Sequence, residues 1–265
     1  MDYLSVLGMF KNESHALGEW IEHYLWQGAD SIHLIDNNSD DDWSMVKTKY
    51  ESHPNIHFYT QPKKNYQVHA YWEVIREHIN TKYLLVADLD EFLYARNGFT
   101  NIKNALEYTP FQFSYLYVPW KIFGSSGYIT QPQSIRRDFV WRSLHEDTHH
   151  IPGKSIFNME DIVNGEVNVH NADRKVYTLP PMSANFQEFP RLDINTTIHA
   201  NEEHLSRANI HCNHYQVQSF EFWTKIKMTR GDIANKDWDN MRNINKFHER
   251  DCNQIKDNEL SLMVS

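Results

Sequence analysis

Residues 82–92 read Lys-Tyr-Leu-Leu-Val-Ala-Asp-Leu-Asp-Glu-Phe, an apolar run followed at once by three carboxylates. The run predicts a strand over residues 83–87 that is buried on both faces, as in a mostly parallel sheet. Its acidic end would then lie at the carboxyl edge of the sheet, where open α/β sheets bind ligands. Asp88 and Asp90 offer hard oxygen ligands for a divalent cation. Taken alone, the run is interpreted equally well as an acidic turn after a core strand.

Strands and helices alternate before this run, which predicts a Rossmann-like α/β fold. The sheet is expected to be mostly parallel and flanked by helices, because right-handed crossovers join successive parallel strands. The apolar periodicity predicts strands over residues 3–9, 31–35, 56–59 and 83–87, and helices over residues 19–26 and 67–79.

After residue 90 the pattern is less regular. It predicts further strands over residues 113–120, 155–157, 167–170 and 176–179, and helices over residues 102–106, 219–227 and 238–247. Residues 123–128 are expected to form a flexible loop, and the last dozen residues are expected to fray.

Composition narrows the class of protein. The chain has 265 residues and a formal charge of −9 without a basic stripe, which excludes a purely electrostatic binder of nucleic acid. It has 2 Cys and no C-x-x-C pair, which favours a reducing compartment. No segment approaches the length of an apolar membrane span, and the amino terminus lacks a signal peptide. We therefore expect a soluble, cytoplasmic protein without a membrane anchor.

Polar residues follow three of the predicted strands, at residues 11–13, 36–39 and 88–90. Because the carboxyl ends of parallel strands share one sheet edge, these segments are expected to converge on a base, a ribose and a metal-bound diphosphate. Each segment also has a purely structural interpretation when taken alone. Asn12 and Ser14 would cap a helix, and residues 36–42 would form an Asx-rich turn.

Two later segments could complete such a site. Residues 211–215, His-Cys-Asn-His-Tyr, contain imidazoles that a carboxylate-bound metal commonly recruits. A structural zinc site is discounted because no second Cys/His pair is present. Residues 225–231 are basic and would either clamp phosphates or form a solvated helix face. The sequence has no Walker loop, dinucleotide fingerprint or nucleophile elbow, which argues against an ATPase, a dehydrogenase or a serine hydrolase.

Five ordered blocks carry a resemblance to a known family: residues 10–13, 19–24, 28, 36–40 and 88–92. In these blocks the sequence resembles the GT-A fold glycosyltransferases of family 92 and the related family-2-like enzymes. Weaker similarity continues to about residue 231 and includes the Lys154-Ser155-Ile156 segment. The chain is also similar to compact soluble glycan transferases encoded by large algal viruses, whereas many members of the family are anchored in the Golgi membrane.

The resemblance implies an inverting transferase that moves a sugar such as xylose or galactose from a UDP-sugar to a hydroxyl of a glycan or glycoprotein acceptor. It implies Mn²⁺ or Mg²⁺ as cofactor. It also implies one GT-A domain over residues 1–265. Residues 1–100 would form the nucleotide-binding half, residues 101–231 the acceptor-side half and residues 232–265 a C-terminal helical extension.

The resemblance further implies roles for individual residues. Asp88, Asp90 and His214 would hold the metal, with His170 as the second choice for the histidine. The predicted nucleotide and diphosphate contacts are Glu13, Asp36, Asp88, Lys227 and Arg230. No segment matches the catalytic base sharply; Glu146 and Asp147 are the candidates, with Asp173 as a third.

Two other functions fit the same sequence features. A non-catalytic module could keep the fold and an aromatic cleft and only bind glycan. A nucleotide-sugar hydrolase or a nucleotidyltransferase would use the same metal and diphosphate but would not join a sugar to an acceptor.

Overall fold

The computed structural model describes residues 1–64, 66–145, 150–162, 170, 178–188, 198–199, 201–229 and 242–264. The strands are β1 (Asp2–Phe10), β2 (Ser31–Asp36), β3 (Ile56–Thr60), β4 (Thr81–Val86), β5 (Glu91–Ala95), β6 (Tyr115–Ile122), β7 (Trp141–Arg142), β8 (His150–Ile151), β9 (Gly153–Asn158), β10 (Met182–Ser183), β11 (Ile198–His199), β12 (Ile210–His214) and β13 (Ile255–Lys256).

The helices are α1 (Ser14–Trp26), α2 (Ser44–Tyr50), α3 (Gln67–His78), α4 (Ile102–Glu107), α5 (Ile135–Asp138), α6 (Glu202–Arg207), α7 (Phe220–Phe222), α8 (Ile244–Arg250) and α9 (Glu259–Met263). A π-helical turn, Trp223–Lys227, continues directly from α7. No helix among these described segments is long and apolar enough to cross a membrane.

One sheet runs through the described part of the chain in the order β3-β2-β1-β4-β9-β6-β12-β5, with β10 beside β6. The first four strands in this order are parallel, and β12 is parallel to β6. The strands β9 and β5 are antiparallel to their neighbours. The predicted α/β fold with a mostly parallel sheet is therefore confirmed.

Helices cover both faces of the parallel strands. Trp20, Ile21 and Tyr24 of α1 pack with alternate residues of β1, β2 and β4 in one buried cluster. Ala70, Val74 and their neighbours on α3 pack against the opposite face. Successive strand residues point to opposite faces, so strands covered on both sides must be apolar throughout. This requirement explains why the continuous apolar runs identified β1 to β4.

The later strands match the sequence pattern less well. The strand predicted over residues 113–120 is β6, shifted to Tyr115–Ile122, and residues 155–157 lie in β9. The strands predicted over 167–170 and 176–179 fall mostly outside the described residues, as do residues 238–241 of the last predicted helix. The strands β5 and β12 and the helix α2 were not predicted.

The C-terminal residues do not fray, contrary to the prediction. The strand β13 pairs with β7, and Leu260 of α9 is buried. Asp251 also accepts hydrogen bonds from the backbone N–H and the hydroxyl of Ser125, at 2.6 and 2.9 Å. The loop at 123–128 is therefore held in place by the end of the chain. Sequence periodicity missed this because the contacts join residues far apart in the chain.

Candidate active site

The loops that follow β1 and β2 are interlocked at the carboxyl edge of the sheet. The backbone N–H of Asn12 donates to Ser39 Oγ at 3.1 Å, and the N–H of Asp40 donates to Asn12 Oδ1 at 2.7 Å. Asn12 has a φ of 55°, a left-handed conformation that asparagine tolerates better than most residues. The three predicted strand ends are neighbours, because β1 lies between β2 and β4.

Asp36 and Glu13 lie at two of these strand ends. Asp36 Oδ1 accepts the backbone N–H of Ser39, three residues further along the chain, at 2.9 Å. Glu13 precedes α1, and its side chain is buried. The N–H of Ser14 is capped instead by Asp41 Oδ2 at 2.8 Å. The contact of Asp36 and Glu13 with a nucleotide stays a prediction.

Asp90 lies in the most highly charged part of the edge, although only 4% of it is exposed. Its Oδ2 is 2.5 Å from Lys227 Nζ, and its Oδ1 is 3.5 Å from His214 Nε2. Burial disfavours the carboxylate, but Lys227 and His214 outweigh burial and hold the pKa of Asp90 well below its ordinary value. Asp90 is therefore an anion at neutral pH, held between a lysine and an imidazole.

Asp88 is paired with a different lysine. Its Oδ2 is 2.9 Å from Lys154 Nζ, which is also 3.0 Å from Glu91 Oε2. Burial opposes ionisation of Asp88, but the Lys154 charge lowers its pKa below the ordinary value. Burial raises the pKa of Glu91 to about 8. The pKa of Lys154 is raised above its usual value by the two carboxylates, despite its burial.

An aromatic wall adjoins the two aspartates. The ring of Trp120 lies 4.1 Å from that of His214 and 5.4 Å from that of His170, between centroids. His170 Nδ1 is 2.9 Å from the carbonyl oxygen of Gly153, and burial lowers the pKa of His170 to about 4. Trp120 Nε1 and His214 Nδ1 are buried and lack a hydrogen-bond partner among the described residues.

The structure thus brings together Asp88, Asp90, His214, His170 and Lys227 from distant parts of the chain. Lys225 of the basic cluster lies outside this group: it is exposed and pairs with Glu221 at 2.7 Å. The other predicted site residues, Arg230, Glu146, Asp147 and Asp173, lie outside the described residues.

Sequence reasoning missed Lys154 and Glu91 as members of the site. Lys154 appeared only as one residue of a weakly similar segment, and Glu91 was expected only to serve the local structure. The sequence does not distinguish a buried lysine in a short strand from an exposed one. Lys154 is recognised as part of the site only by its position in the folded protein, beside Asp88. The strand β9 reaches that position by inserting between β4 and β6.

The side chains of the site fit a divalent cation in donor type. Two carboxylates and an imidazole are ligands that Mn²⁺ accepts, and Asp90 and His214 already face each other. Within the described part of the chain, however, no group of three His, Cys, Asp or Glu side chains is already arranged around a common point. Lys227 occupies one oxygen of Asp90, so a cation that uses this oxygen would displace it.

Crystal structures of the S. aureus protein TarS are similar to this chain. The structure of TarS 1-349 matches with 15% sequence identity and a TM-score of 0.38, over 59% of this chain and 47% of the TarS chain. The structure of TarS 1-349 in complex with UDP gives 16% identity and a TM-score of 0.39, over 59% and 46% of the two chains. The chain thus spans less than half of these TarS chains. No significantly similar sequence was found among curated proteins.

The sequence model that describes glycosyltransferase family 92 matches residues 4–258, which is nearly the whole chain. This match confirms the resemblance carried by the ordered blocks, and it agrees with the GT-A class of α/β fold. The match includes both aspartates, the histidines and the two lysines of the site. The chain therefore belongs to glycosyltransferase family 92.

Proposed function

We propose that this protein is an inverting glycosyltransferase that moves a sugar from a UDP-sugar to a hydroxyl of a glycan acceptor. The observation that carries the proposal is the pair of aspartates at the end of β4, bordered by two lysines and two histidines, in a member of a glycosyltransferase family. Xylose and galactose are our candidate sugars. The alternatives, a glycan-binding module or a nucleotide-sugar hydrolase, lack a specific observation in their favour.

The proposed donor site lies along the ends of β1, β2 and β4. Asp36 and Glu13 would contact the nucleoside, and Lys227 and Arg230 would face the diphosphate. A Mn²⁺ or Mg²⁺ ion held by Asp90, His214 and Asp88 would neutralise charge on the leaving diphosphate. Trp120 would form the adjoining wall of the sugar pocket.

The transfer itself would be a single displacement. The acceptor oxygen forms a bond to the anomeric carbon as the bond from that carbon to the diphosphate oxygen breaks, which inverts the configuration. A carboxylate base takes the proton of the acceptor hydroxyl, and Glu146 and Asp147 remain our candidates, followed by Asp173. Lys227 would stabilise the negative charge that the UDP leaving group gains.

Binding of the donor tests the first half of this proposal. We expect UDP and its preferred UDP-sugar to raise the melting temperature by several degrees in the presence of Mn²⁺, at about 2–4 °C per kcal/mol of linked binding energy. Asp90→Asn should remove most of this shift, because it removes the anionic ligand. Glu51→Gln, a neutralisation at an exposed position between α2 and β3, is the matched control.

Product analysis tests the second half. With the preferred donor and a panel of glycans, we expect a glycosylated product of inverted configuration, formed by the wild type and by Glu51→Gln but not by Asp90→Asn. Free sugar as the sole product, with every acceptor, would favour the hydrolase. Absence of any UDP-dependent shift in the wild type would refute the nucleotide-sugar proposal altogether.

A further inference from the structure

Lys154 is completely buried, with 0% of its surface exposed, yet its ammonium reaches the edge of the sheet. It lies 2.9 Å from Asp88 Oδ2 and 3.0 Å from Oε2 of Glu91, which is also 0% exposed. Glu91 Oε2 accepts the backbone N–H of Asp88 at 2.9 Å as well. One lysine–glutamate pair therefore holds Asp88 at both its backbone and its carboxylate.

The strand that carries Lys154 has little freedom to move. A Cβ atom at the preceding residue, Gly153, would lie 2.3 Å from the carbonyl oxygen of Val118 and 2.9 Å from Cα of Pro119. These distances mean that β9 lies directly against β6 at this point. The Lys154 side chain thus extends from a fixed backbone, which is what a group that orients another side chain requires.

We propose that Lys154 and Glu91 are positioning residues that orient the Asp88 carboxylate toward the donor diphosphate and its cation. This inference rests on the function proposed above. Lys154 occupies Oδ2 of Asp88, so Asp88 meets its ligand through Oδ1.

The test separates positioning from simple support of the fold. Lys154→Met alone leaves the buried Glu91 without its cation and is expected to lower the melting temperature. The double variant Lys154→Met/Glu91→Gln replaces the buried lysine and its glutamate partner by neutral side chains and should melt near the wild type, because neutral replacement of a buried charged group together with its partner is often tolerated. Lys154→Leu/Glu91→Met is a second double variant, with apolar side chains at both positions. The affinity measurement requires that one of the two double variants folds.

The readout is the affinity for UDP in the presence of Mn²⁺, measured by calorimetry, together with the affinity for Mn²⁺ alone. We expect the folded double variant to bind Mn²⁺ and UDP about 10–100-fold more weakly than the wild type, as is typical when a partner of a metal ligand is removed. If donor turnover is measured, the KM for the donor should rise by a larger factor than kcat falls.

Lys121 and Asp257 supply a matched control outside the site. Their side chains form a buried pair at 2.8 Å, and Lys121 follows Trp120 in β6, so it points to the opposite face of the sheet. Lys121→Met/Asp257→Asn should leave UDP affinity within about twofold of the wild type. Wild-type affinity in a folded Lys154/Glu91 double variant would overturn the positioning role. Absence of UDP binding by the wild type would instead overturn the function on which it rests.

Discussion

At the scale of single residues, Lys227 decides how Asp90 meets a ligand. Its ammonium is 2.5 Å from Asp90 Oδ2 and is buried, whereas Lys225 in the same π-helical turn is exposed. A cation and this ammonium would compete for one carboxylate oxygen, while a diphosphate would attract both of them. The nucleotide and the metal are therefore expected to bind cooperatively, because the diphosphate gives Lys227 a new partner.

Lys227→Met should separate these two effects. We expect weaker UDP binding, by about 10-fold or more, because a hydrogen bond to a charged group contributes about 1.5–3 kcal/mol. In the absence of UDP, Mn²⁺ should bind more tightly than in the wild type, since its competitor at Asp90 is gone. Calorimetric titrations of both ligands measure these changes.

Lys225→Met is the control for this substitution, because it removes the same charge two residues away. It should leave both affinities unchanged within error. Equal Mn²⁺ affinity in Lys227→Met and the wild type would show that Lys227 and the cation do not compete.

At the scale of elements, the sequence predicted the strands that consist mainly of apolar residues. It missed strands that contain buried polar residues. The strands β1, β2 and β4 are largely buried on both faces, so apolar residues dominate their sequences, whereas β3 at the edge of the sheet is only partly buried. In contrast, β12 reads Ile-His-Cys-Asn-His and β5 begins with Glu91. These polar residues are buried beside specific partners, and they prevented the prediction of both strands. Such residues cannot be assigned to a strand until their partners are known.

The same limit applies to the site. Asp88 and Asp90 could be predicted because they directly follow an apolar strand, and His214 because imidazole suits a carboxylate-bound metal. Lys154 could not, because its importance depends on the insertion of β9 between β4 and β6. Sequence reasoning thus predicted side chains that the structure brings together, and it missed the groups that hold them.

The strand β9 itself can be tested through Gly153. An added methyl group would collide with backbone atoms of β6, the nearest at 2.3 Å, so Gly153→Ala should lower stability by about 1–3 kcal/mol. Gly18 lies within α1, and its nearest neighbour to an added Cβ is Val46 Cγ2 at 3.9 Å. Gly18→Ala should therefore raise stability, by about 1 kcal/mol from helix propensity. Urea unfolding of both variants gives the comparison, and an equal effect of the two substitutions would contradict the close approach of β9 and β6.

At the scale of the whole molecule, side chains near the end of the chain bind side chains of β5, β6 and β7. Asp257 accepts from Lys121 Nζ at 2.8 Å and from Arg142 Nε at 2.7 Å. Glu259 accepts from Arg96 Nε and from the Tyr94 hydroxyl, both at 2.9 Å. These contacts connect α9 and the segment before it to β5, β6 and β7. Because Asp251 also holds the loop at 123–128, the chain end supports a loop beside the proposed acceptor side.

This arrangement predicts a loss of stability in acid. Burial disfavours the ionised forms of Asp257 and Glu259, but Lys121 and His211 respectively, with their other partners, outweigh it and lower both pKa values. A carboxyl group with a lowered pKa stabilises the fold above its unfolded pKa, near 4, and this contribution disappears as the pH falls below that value. The melting temperature of the wild type should therefore fall steeply below about pH 4.

The variant Asp257→Asn/Glu259→Gln should show where this acid sensitivity arises. At pH 7 we expect it to be less stable than the wild type by about 3–5 kcal/mol, because Lys121 and its neighbours lose buried anionic partners. At pH 3 the difference should shrink, since these carboxyl groups then bind protons in the unfolded wild type, whereas their lowered pKa values keep them ionised in the folded protein. Glu249→Gln, which removes a carboxylate from an exposed pair with Lys246, should follow the wild-type curve throughout. A stability difference that is equal at pH 7 and pH 3 would show that the C-terminal segment is held by packing of residues such as Leu260 and not by its charges.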